Sequence, residues 1–227
     1  MKRLLFITLI ALFICNNTSA QMSTQDKMKK RAELLKMNKK LQAADIDDAT
    51  KDQAKEMKKE GWKVAPGHLP LEQQISRSVL LQNQFEDDLV TPKYVWGDAT
   101  SIAENYDGGK MQALELARIN LVSSIESNIT QIVETNRDNQ QLSEGSAATI
   151  IKSLGTAKSY ISQKIGQTIT VIDTYRDRPN NNVEVRVMIF YSMDKAKKLT
   201  HDAVRKQLEK DGQSISDEEL DKLMGGK

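Results

Sequence analysis

The clearest pattern of apolar and polar positions in this chain lies between Met111 and Val133. Apolar residues recur there every three or four positions, which predicts an α-helix with one buried face. The residues of this face are Leu114, Ala117, Leu121, Ile125, Ile129 and Ile132. Ala113 and Ala117 are small, so a sheet or a second backbone can approach the helix closely. Packing alone explains the pattern, and it does not require a chemical role.

The period changes from helical to twofold after residue 167. Two segments, 168–175 and 183–191, alternate apolar with polar side chains, as half-buried β-strands do. Between them, Arg178, Pro179 and a run of three asparagines favour a turn, because asparagine tolerates the positive φ that hairpins require. The sequence therefore predicts an antiparallel hairpin.

Shorter patterns of helical spacing predict further helices on both sides of the hairpin. They are expected over about 71–85, 143–162 and 194–210, and over a short segment that begins at Ser216. The last of these starts with a capping box, since Ser216 and Glu219 have the spacing at which each side chain caps the other residue's backbone N–H.

Strands are also predicted before the central helix. A short strand is expected at 62–64, and a longer one at 93–104, with Gly97 as a candidate bulge position. Together the elements predict an α+β fold, in which the long amphipathic helix and further helices pack on a small antiparallel sheet. The expected domain spans 61–210 and is followed by a tail, 211–227, that carries the short last helix.

The first twenty residues have the pattern of a secretory signal peptide. Lys2 and Arg3 precede an apolar run over 4–14, and small polar residues occupy 16–20. The apolar run is shorter than the roughly 20 residues that span a membrane, so a permanent transmembrane helix is the weaker interpretation. We therefore expect export to the periplasm or the outer envelope.

The residues around Cys15 favour ordinary cleavage over lipidation. A lipoprotein signal has a small residue directly before its cysteine, whereas Ile14 stands there in this chain. Thr18 and Ala20 occupy the −3 and −1 positions of an ordinary cleavage site. The mature chain is therefore expected to begin at Gln21, without any cysteine, which excludes disulfides and thiol catalysis.

Export also changes the charge of the protein. Loss of Lys2 and Arg3 leaves 31 basic residues against 31 acidic ones. A general nucleic-acid binder needs a basic excess to contact phosphates, so no nucleic-acid partner is expected.

A charged helical extension is predicted over residues 21–60. Ser23–Glu60 contains neither proline nor glycine, and a break near 45–48 is expected to divide it into two helices. The segment Lys27–Lys40 has seven basic residues against one acid, which is typical of a solvated face or, alternatively, of a peripheral contact with an anionic membrane. Few of its apolar residues need burial, so deletion of 22–59 is expected to leave the domain folded.

No catalytic, cofactor-binding or metal-ligating residue can be assigned from motifs. The two histidines, His68 and His201, lie far apart and lack the HExxH spacing of a zinc site. The adjacent acids at 86–88 are typical of a solvated helix end rather than of a paired acid and base. The segment 106–109 ends in two glycines but lacks the lysine and the hydroxyl of a phosphate-binding loop, so an ordinary turn is predicted.

Six aromatic residues lie on or beside the predicted strands. Packing in the core is the favoured interpretation, and a recognition platform on an exposed sheet face is the alternative. These residues are Trp62, Tyr94, Trp96, Tyr175, Phe190 and Tyr191.

Two blocks of sequence, KYVWGDATSIAENYDGGKMQALELARINLVSSIES and VEVRVMIFYSMDKA, follow the signal peptide and extension. Together with the signal peptide, they resemble the small envelope lipoprotein family typified by the twenty-kilodalton outer-membrane lipoprotein of Helicobacter, which is similar to the N-terminal domain of flagellar assembly protein T. The resemblance covers about residues 94–196. It implies an α+β fold with the long helix across an antiparallel sheet, an envelope location, and non-enzymatic roles in surface structure or assembly. The residue before Cys15 departs from the family's lipidation pattern.

Two functions remain open from the sequence. The favoured one is an exported, non-enzymatic scaffold, assembly or binding protein that meets an envelope protein or a cell-surface component. The alternative is a small-ligand-binding or enzymatic module with a pocket between sheet and helices. A pocket with converging ionisable groups distinguishes the alternative from a scaffold with a featureless surface.

Overall fold

A computed structural model describes residues 48–86, 91–140 and 143–225 of the chain. The expected signal peptide, its cleavage junction and the basic part of the extension lie outside these residues. Within them, seven α-helices and one four-stranded antiparallel sheet give the α+β fold that the sequence predicts.

The elements follow one another in this order. They are α1 (Asp48–Lys59), β1 (Lys63–Val64), α2 (Leu71–Gln82), β2 (Tyr94–Ala103), α3 (Tyr106–Gln140), α4 (Glu144–Thr156), α5 (Lys158–Lys164), β3 (Ile169–Asp177), β4 (Val183–Ser192), α6 (Met193–Lys210) and α7 (Asp217–Met224). The single helix expected over 143–162 is two helices, which meet at Ala157.

The strands are ordered β1-β3-β4-β2 across the sheet. β3 and β4 form the predicted hairpin, and Asn180 and Asn181 in its turn have φ values of 63° and 58°. β2 pairs with β4 along its whole length, from Tyr94 opposite Ser192 to Ala103 opposite Val183. β4 is therefore an interior strand with long partners on both sides.

Gly97 does not mark a bulge. The pairing of β2 with β4 continues through it without a shift, and the one register shift lies in β3 between Thr170 and Ile172. A Cβ atom on Gly97 would lie 2.0 Å from the backbone oxygen of Ala117 and 2.5 Å from the nitrogen of Leu121. Gly97 is needed because the backbone of α3 lies directly on this strand.

The main core lies between α3 and one face of the sheet. Leu121, Ile125 and Ile129 are fully buried there, as the helical pattern predicts. The sheet contributes Val185, Val187, Ile189 and Tyr191. Leu114 and Ile132 are only partly buried at the margin, and Ala113, Val122 and Val133 complete the buried face.

The second face of the sheet is also covered, so β4 is not the half-buried strand that its alternation suggests. Met188 and Phe190, which alternate with the valines, are 6% and 0% exposed. α2 covers them with Leu81, and Val171 and Ile172 complete this smaller cluster. The strand is interior in the sheet and buried on both faces.

The second half of the charged extension belongs to the folded domain. α1 buries Ala54 and Met57 against Trp62, Leu71 and Ile75. Deletion of residues 22–59 would uncover these side chains, so the premise that few apolar residues of the extension need burial is wrong for this half. The same apolar contacts place part of the domain before residue 61.

The segment after residue 210 is likewise part of the core. Ser216 begins α7, and its hydroxyl oxygen accepts a hydrogen bond from the N–H of Glu219 at 3.2 Å, as the capping residues predict. Leu220, Leu223 and Met224 are buried in the main core. Among the described residues, no helix combines the length and the apolar character needed to cross a membrane.

Candidate functional site

A pocket lies at the edge of the sheet where strand pairing ends. β1 pairs only with Tyr175 and Thr174 of β3, so it does not extend along β3 towards Thr170. The segment before α2 and the helix itself lie beside this part of the edge, and the side-chain oxygen of Gln74 accepts a hydrogen bond from the N–H of Asp173 at 2.8 Å. A pocket of about 340 Å³ is left between this segment, α2, β3 and the start of α3.

Asp173 is the centre of the pocket's polar network and is only 5% exposed. The Tyr106 hydroxyl donates to its Oδ1 at 2.8 Å. Lys110 Nζ lies 2.5 Å from its Oδ2, and His68 Nδ1 lies 3.3 Å from the same oxygen. One buried carboxylate thus has three partners from two separate parts of the chain, as a buried charge requires.

A tight turn positions His68. Gly67 has a φ of +84°, in the region that favours glycine, and it follows Pro66. The N–H of His68 donates to the carbonyl oxygen of Ala65 at 3.2 Å, which closes the turn. Gln74 Nε2 donates to the carbonyl oxygen of Leu69 at 2.7 Å, so the side chain of Gln74 ties this segment to the sheet edge.

The start of α3 supplies Tyr106 and Lys110. They are four residues apart, so both side chains lie on one face of the helix. The Asn105 side chain accepts a hydrogen bond from the N–H of Gly108 at 2.8 Å and caps the helix. The expected turn at 106–109 is therefore the first turn of α3. The ring of Tyr106 also packs edge-on against Tyr175, with 5.4 Å between centroids.

The surroundings raise the pKa of both side chains. Burial is the main cause for Tyr106, and its hydrogen bond to Asp173 adds to the increase. For Lys110, burial acts to lower the pKa, but the hydrogen bonds to Asp173 and Tyr106 outweigh it. At neutral pH, Tyr106 is therefore a neutral donor and Lys110 is a cation.

Arg77 also lines the pocket, one turn after Gln74 in α2. Its Nε atom is buried and has no hydrogen-bond partner among the described residues. Burial lowers the pKa of Arg77, although a guanidinium remains charged at any physiological pH. Because the one carboxylate among the described lining residues already has three partners, Arg77 and Lys110 give this lining an excess of positive charge.

Of this network, the sequence singles out His68 and, within the segment 106–109, Tyr106, but it gives no signal for Lys110 or Arg77. His68 lies in the pocket, whereas His201 lies elsewhere, with Nε2 2.8 Å from Asp221. Of the acids at 86–88, only Glu86 is within the described residues. Asp173 leaves a signal in the sequence, because it is an acid at a position where the strand pattern calls for an apolar residue. Within the described ranges, no group of three or more His, Cys, Asp or Glu side chains could hold a metal ion.

The six aromatic residues do not form one recognition platform. They are distributed among three apolar clusters that lie in different parts of the domain. Trp62 packs with α1, Tyr94 and Trp96 pack with Phe190 beneath α2, and Tyr175 and Tyr191 belong to the main core.

Comparison of the chain with models of known families, with curated proteins and with solved structures found no match. The resemblance to the envelope lipoprotein family therefore stays a prediction. The function has to be inferred from the geometry and charge of the pocket.

Proposed function

We propose that this protein is an exported, non-enzymatic binding protein of the periplasm or outer envelope, and that its pocket at the β3 edge binds a small anion. The anion carries a carboxylate or a phosphate group, which present the same kind of acceptor oxygens. The observation that carries the proposal is the presence of two permanent cations, Arg77 and Lys110, in a described lining whose one carboxylate already has three partners. The proposal of export and envelope location rests on the pattern of residues 1–20.

The charge of the described lining supports an anionic ligand. An oxyanion in the pocket would accept from Arg77 and would also contact Lys110 and the partly exposed ring of His68. Arginine binds carboxylates and phosphates through two parallel hydrogen bonds, which adds geometric selectivity. The volume of about 340 Å³ suits a small ligand.

The protonation states of the network support binding rather than catalysis. A general base must lose a proton near the working pH, but the raised pKa values of Tyr106 and Lys110 keep both protonated. Asp173 is engaged by three donors, and its carboxylate is therefore occupied as a structural acceptor. The network therefore holds the Lys110 cation at the pocket, and both Tyr106 and Lys110 keep their protons at neutral pH.

Calorimetric titration of the full-length chain with inorganic phosphate, succinate and citrate tests the proposal. At least one of the three anions should bind, and Arg77→Gln should weaken that binding about tenfold or more, since it removes one of the two permanent cations of the described lining. Added salt should weaken binding further, because part of the attraction is Coulombic. Arg137→Gln is the matched control, since Arg137 pairs with the neighbouring Asp138 outside the pocket.

Two results would contradict the proposal. One is the lack of binding by all three anions at millimolar concentration. The other is equal affinity in the wild type and in Arg77→Gln, with the melting temperature of the variant unchanged. A variant that melts much earlier would be replaced by Arg77→Lys, which keeps the charge and removes the paired geometry.

A further inference from the structure

A second and larger cleft lies at the opposite edge of the sheet, beside β2. Its volume is about 590 Å³, within the range of roughly 300–1,000 Å³ that is usual for small-molecule sites. The end of α2 and the start of β2 form one wall, and the second half of α3 forms the other. The cleft shares no lining residue with the pocket around Asp173.

The β2 wall presents aromatic surface. Trp96 is partly exposed and packs on the fully buried Phe190, with 6.1 Å between ring centroids. Phe85 is 42% exposed at the same wall. The indole N–H of Trp96 donates to no described residue. An anchored ring with a polar edge suits a ligand that has both C–H and hydroxyl surfaces.

The α3 wall presents side-chain amides. Asn128 Nδ2 donates to the carbonyl oxygen of Ser124 at 2.8 Å, and Asn136 Nδ2 donates to that of Leu223 at 3.1 Å. These bonds fix both amides and leave their Oδ1 atoms as acceptors. Gln131 and Asn139 are exposed at the same wall and make no hydrogen bond to a described residue. The wall therefore offers both donors and acceptors at neighbouring positions.

The described lining of the cleft carries a small positive charge. Among its described residues there is no carboxylate, and Lys197 is the one ionisable side chain. No acidic oxygen of the described residues lies within 4.0 Å of Lys197, so its ammonium has no ion-pair partner there. Among these described residues, a highly charged ligand would meet too few counter-charges, whereas a ligand with one negative group would meet one.

We propose that this cleft binds a saccharide that carries a single carboxylate. The apolar face of a sugar ring would lie against Trp96 and Phe85, its hydroxyls would exchange hydrogen bonds with the amides of α3, and its carboxylate would pair with Lys197. The site is separate from the anion pocket, and either one can fail without the other.

Nuclear magnetic resonance titration of the full-length chain tests this assignment. The probes are methyl glucuronide and methyl glucoside, which differ in that the first has a carboxylate where the second has a hydroxymethyl group. The chain has two tryptophans, so its two indole N–H signals can be followed separately. Both sugars should shift the signal of Trp96 and leave that of Trp62 unchanged, and the glucuronide should bind about tenfold more tightly.

Three substitutions locate the site. Gln131→Ala combined with Asn139→Ala should weaken both sugars about tenfold, because each amide loses its hydrogen bonds to the ligand. Lys197→Met should reduce the affinity for the glucuronide to that for the glucoside. Gln112→Ala is the matched control, since Gln112 is an exposed amide on the same helix outside the cleft.

The proposal is overturned if neither sugar shifts the Trp96 signal at concentrations up to about 50 mM, an affinity too weak for a specific site. It is also overturned if the sugars shift signals around Asp173 instead, which would place them in the other pocket. Unchanged affinities in the double variant would exclude the α3 amides as ligand contacts. Equal binding of both sugars by the wild type would exclude the role of Lys197.

Discussion

The two faces of the sheet are covered differently: one carries the main apolar core, and the proposed binding sites lie at the margins of the other. On one face, α3 buries a continuous row of side chains against β4. On the other face, α1 and α2 bury two small clusters, and the proposed sites lie at the margins of this thinner cover. Polar side chains reach ligands where apolar cover ends, since a complete layer leaves no space for them.

The largest expected effect tests the α3 face. Leu121→Asp would place a carboxylate without a partner in a fully buried position, at a cost of more than about 5 kcal/mol, comparable with the whole stability of a small domain. The variant should fail to show a cooperative thermal transition. Leu116→Asp is the control, because Leu116 is 44% exposed on the same helix and its substitution should lower the stability only slightly. A folded Leu121→Asp protein would contradict the buried placement of this face.

A smaller effect is expected where α3 crosses β2. Gly97→Ala adds a Cβ that would overlap the backbone of α3, and the helix must move away at a cost of about 3 kcal/mol. Gly166→Ala is the control, since a Cβ there would have no atom within 4 Å. Urea denaturation of both variants measures the difference. Equal midpoints would show that α3 does not contact the strand backbone at this position.

The thinner face should respond more locally. Met57→Ala removes most of an apolar side chain that is 8% exposed, at a cost of about 2 kcal/mol. Hydrogen exchange should increase in α1 and α2 while the amides of β4 remain protected. Met111→Ala is the control, because Met111 is 74% exposed. Loss of protection throughout the sheet would show that the two faces unfold as one unit.

The smallest expected effect concerns an ion-pair cluster at the hairpin. The carboxylate of Glu184 contacts Arg176 Nε at 2.7 Å and Arg178 Nε at 2.6 Å. Burial acts to raise the pKa of Glu184, but the hydrogen bonds from both arginines outweigh it and lower the pKa. Glu184→Gln should cost about 1 kcal/mol at neutral pH.

The pH dependence of that variant follows from the direction of the shift. Because the pKa of Glu184 is lower in the folded state than in the unfolded one, its contribution is complete above the ordinary value of 4.5 and is lost as the pH falls through the folded value. The stability difference between wild type and Glu184→Gln should therefore shrink below pH 4.5 in denaturant titrations. A difference that grows in acid would contradict the ion-pair geometry.

The parts of the fold that were predicted correctly are those that repeat. The helical pattern around Leu121 and the alternation in the hairpin extend over several turns or residue pairs, so single exceptions do not hide them. Gly97 was interpreted wrongly because a glycine in a strand has two explanations, a bulge or a close neighbour, and only the position of α3 distinguishes them. The burial of Met57 was missed because its helix carries many charges and its apolar stripe is narrow.

The candidate sites were less accessible to sequence reasoning. His68, Lys110 and Asp173 are far apart along the chain, and none belongs to a motif of fixed spacing. The register of β3 and the packing of α2 bring them together. In the sequence, the amides of the second cleft look like part of an ordinary polar helix surface. They become a candidate site because the fold places Trp96 opposite them.

The pairing of β2 with β4 also has a consequence for the time course of folding. Tyr94 pairs with Ser192, so β2 and α3 are synthesised well before the strand that they pack against. Contacts between such distant segments slow folding, because a long loop must close before they form. In nascent chains that end before Val183, the apolar face of α3 has no β4 strand to pack against. These chains are therefore the ones that need protection by a chaperone.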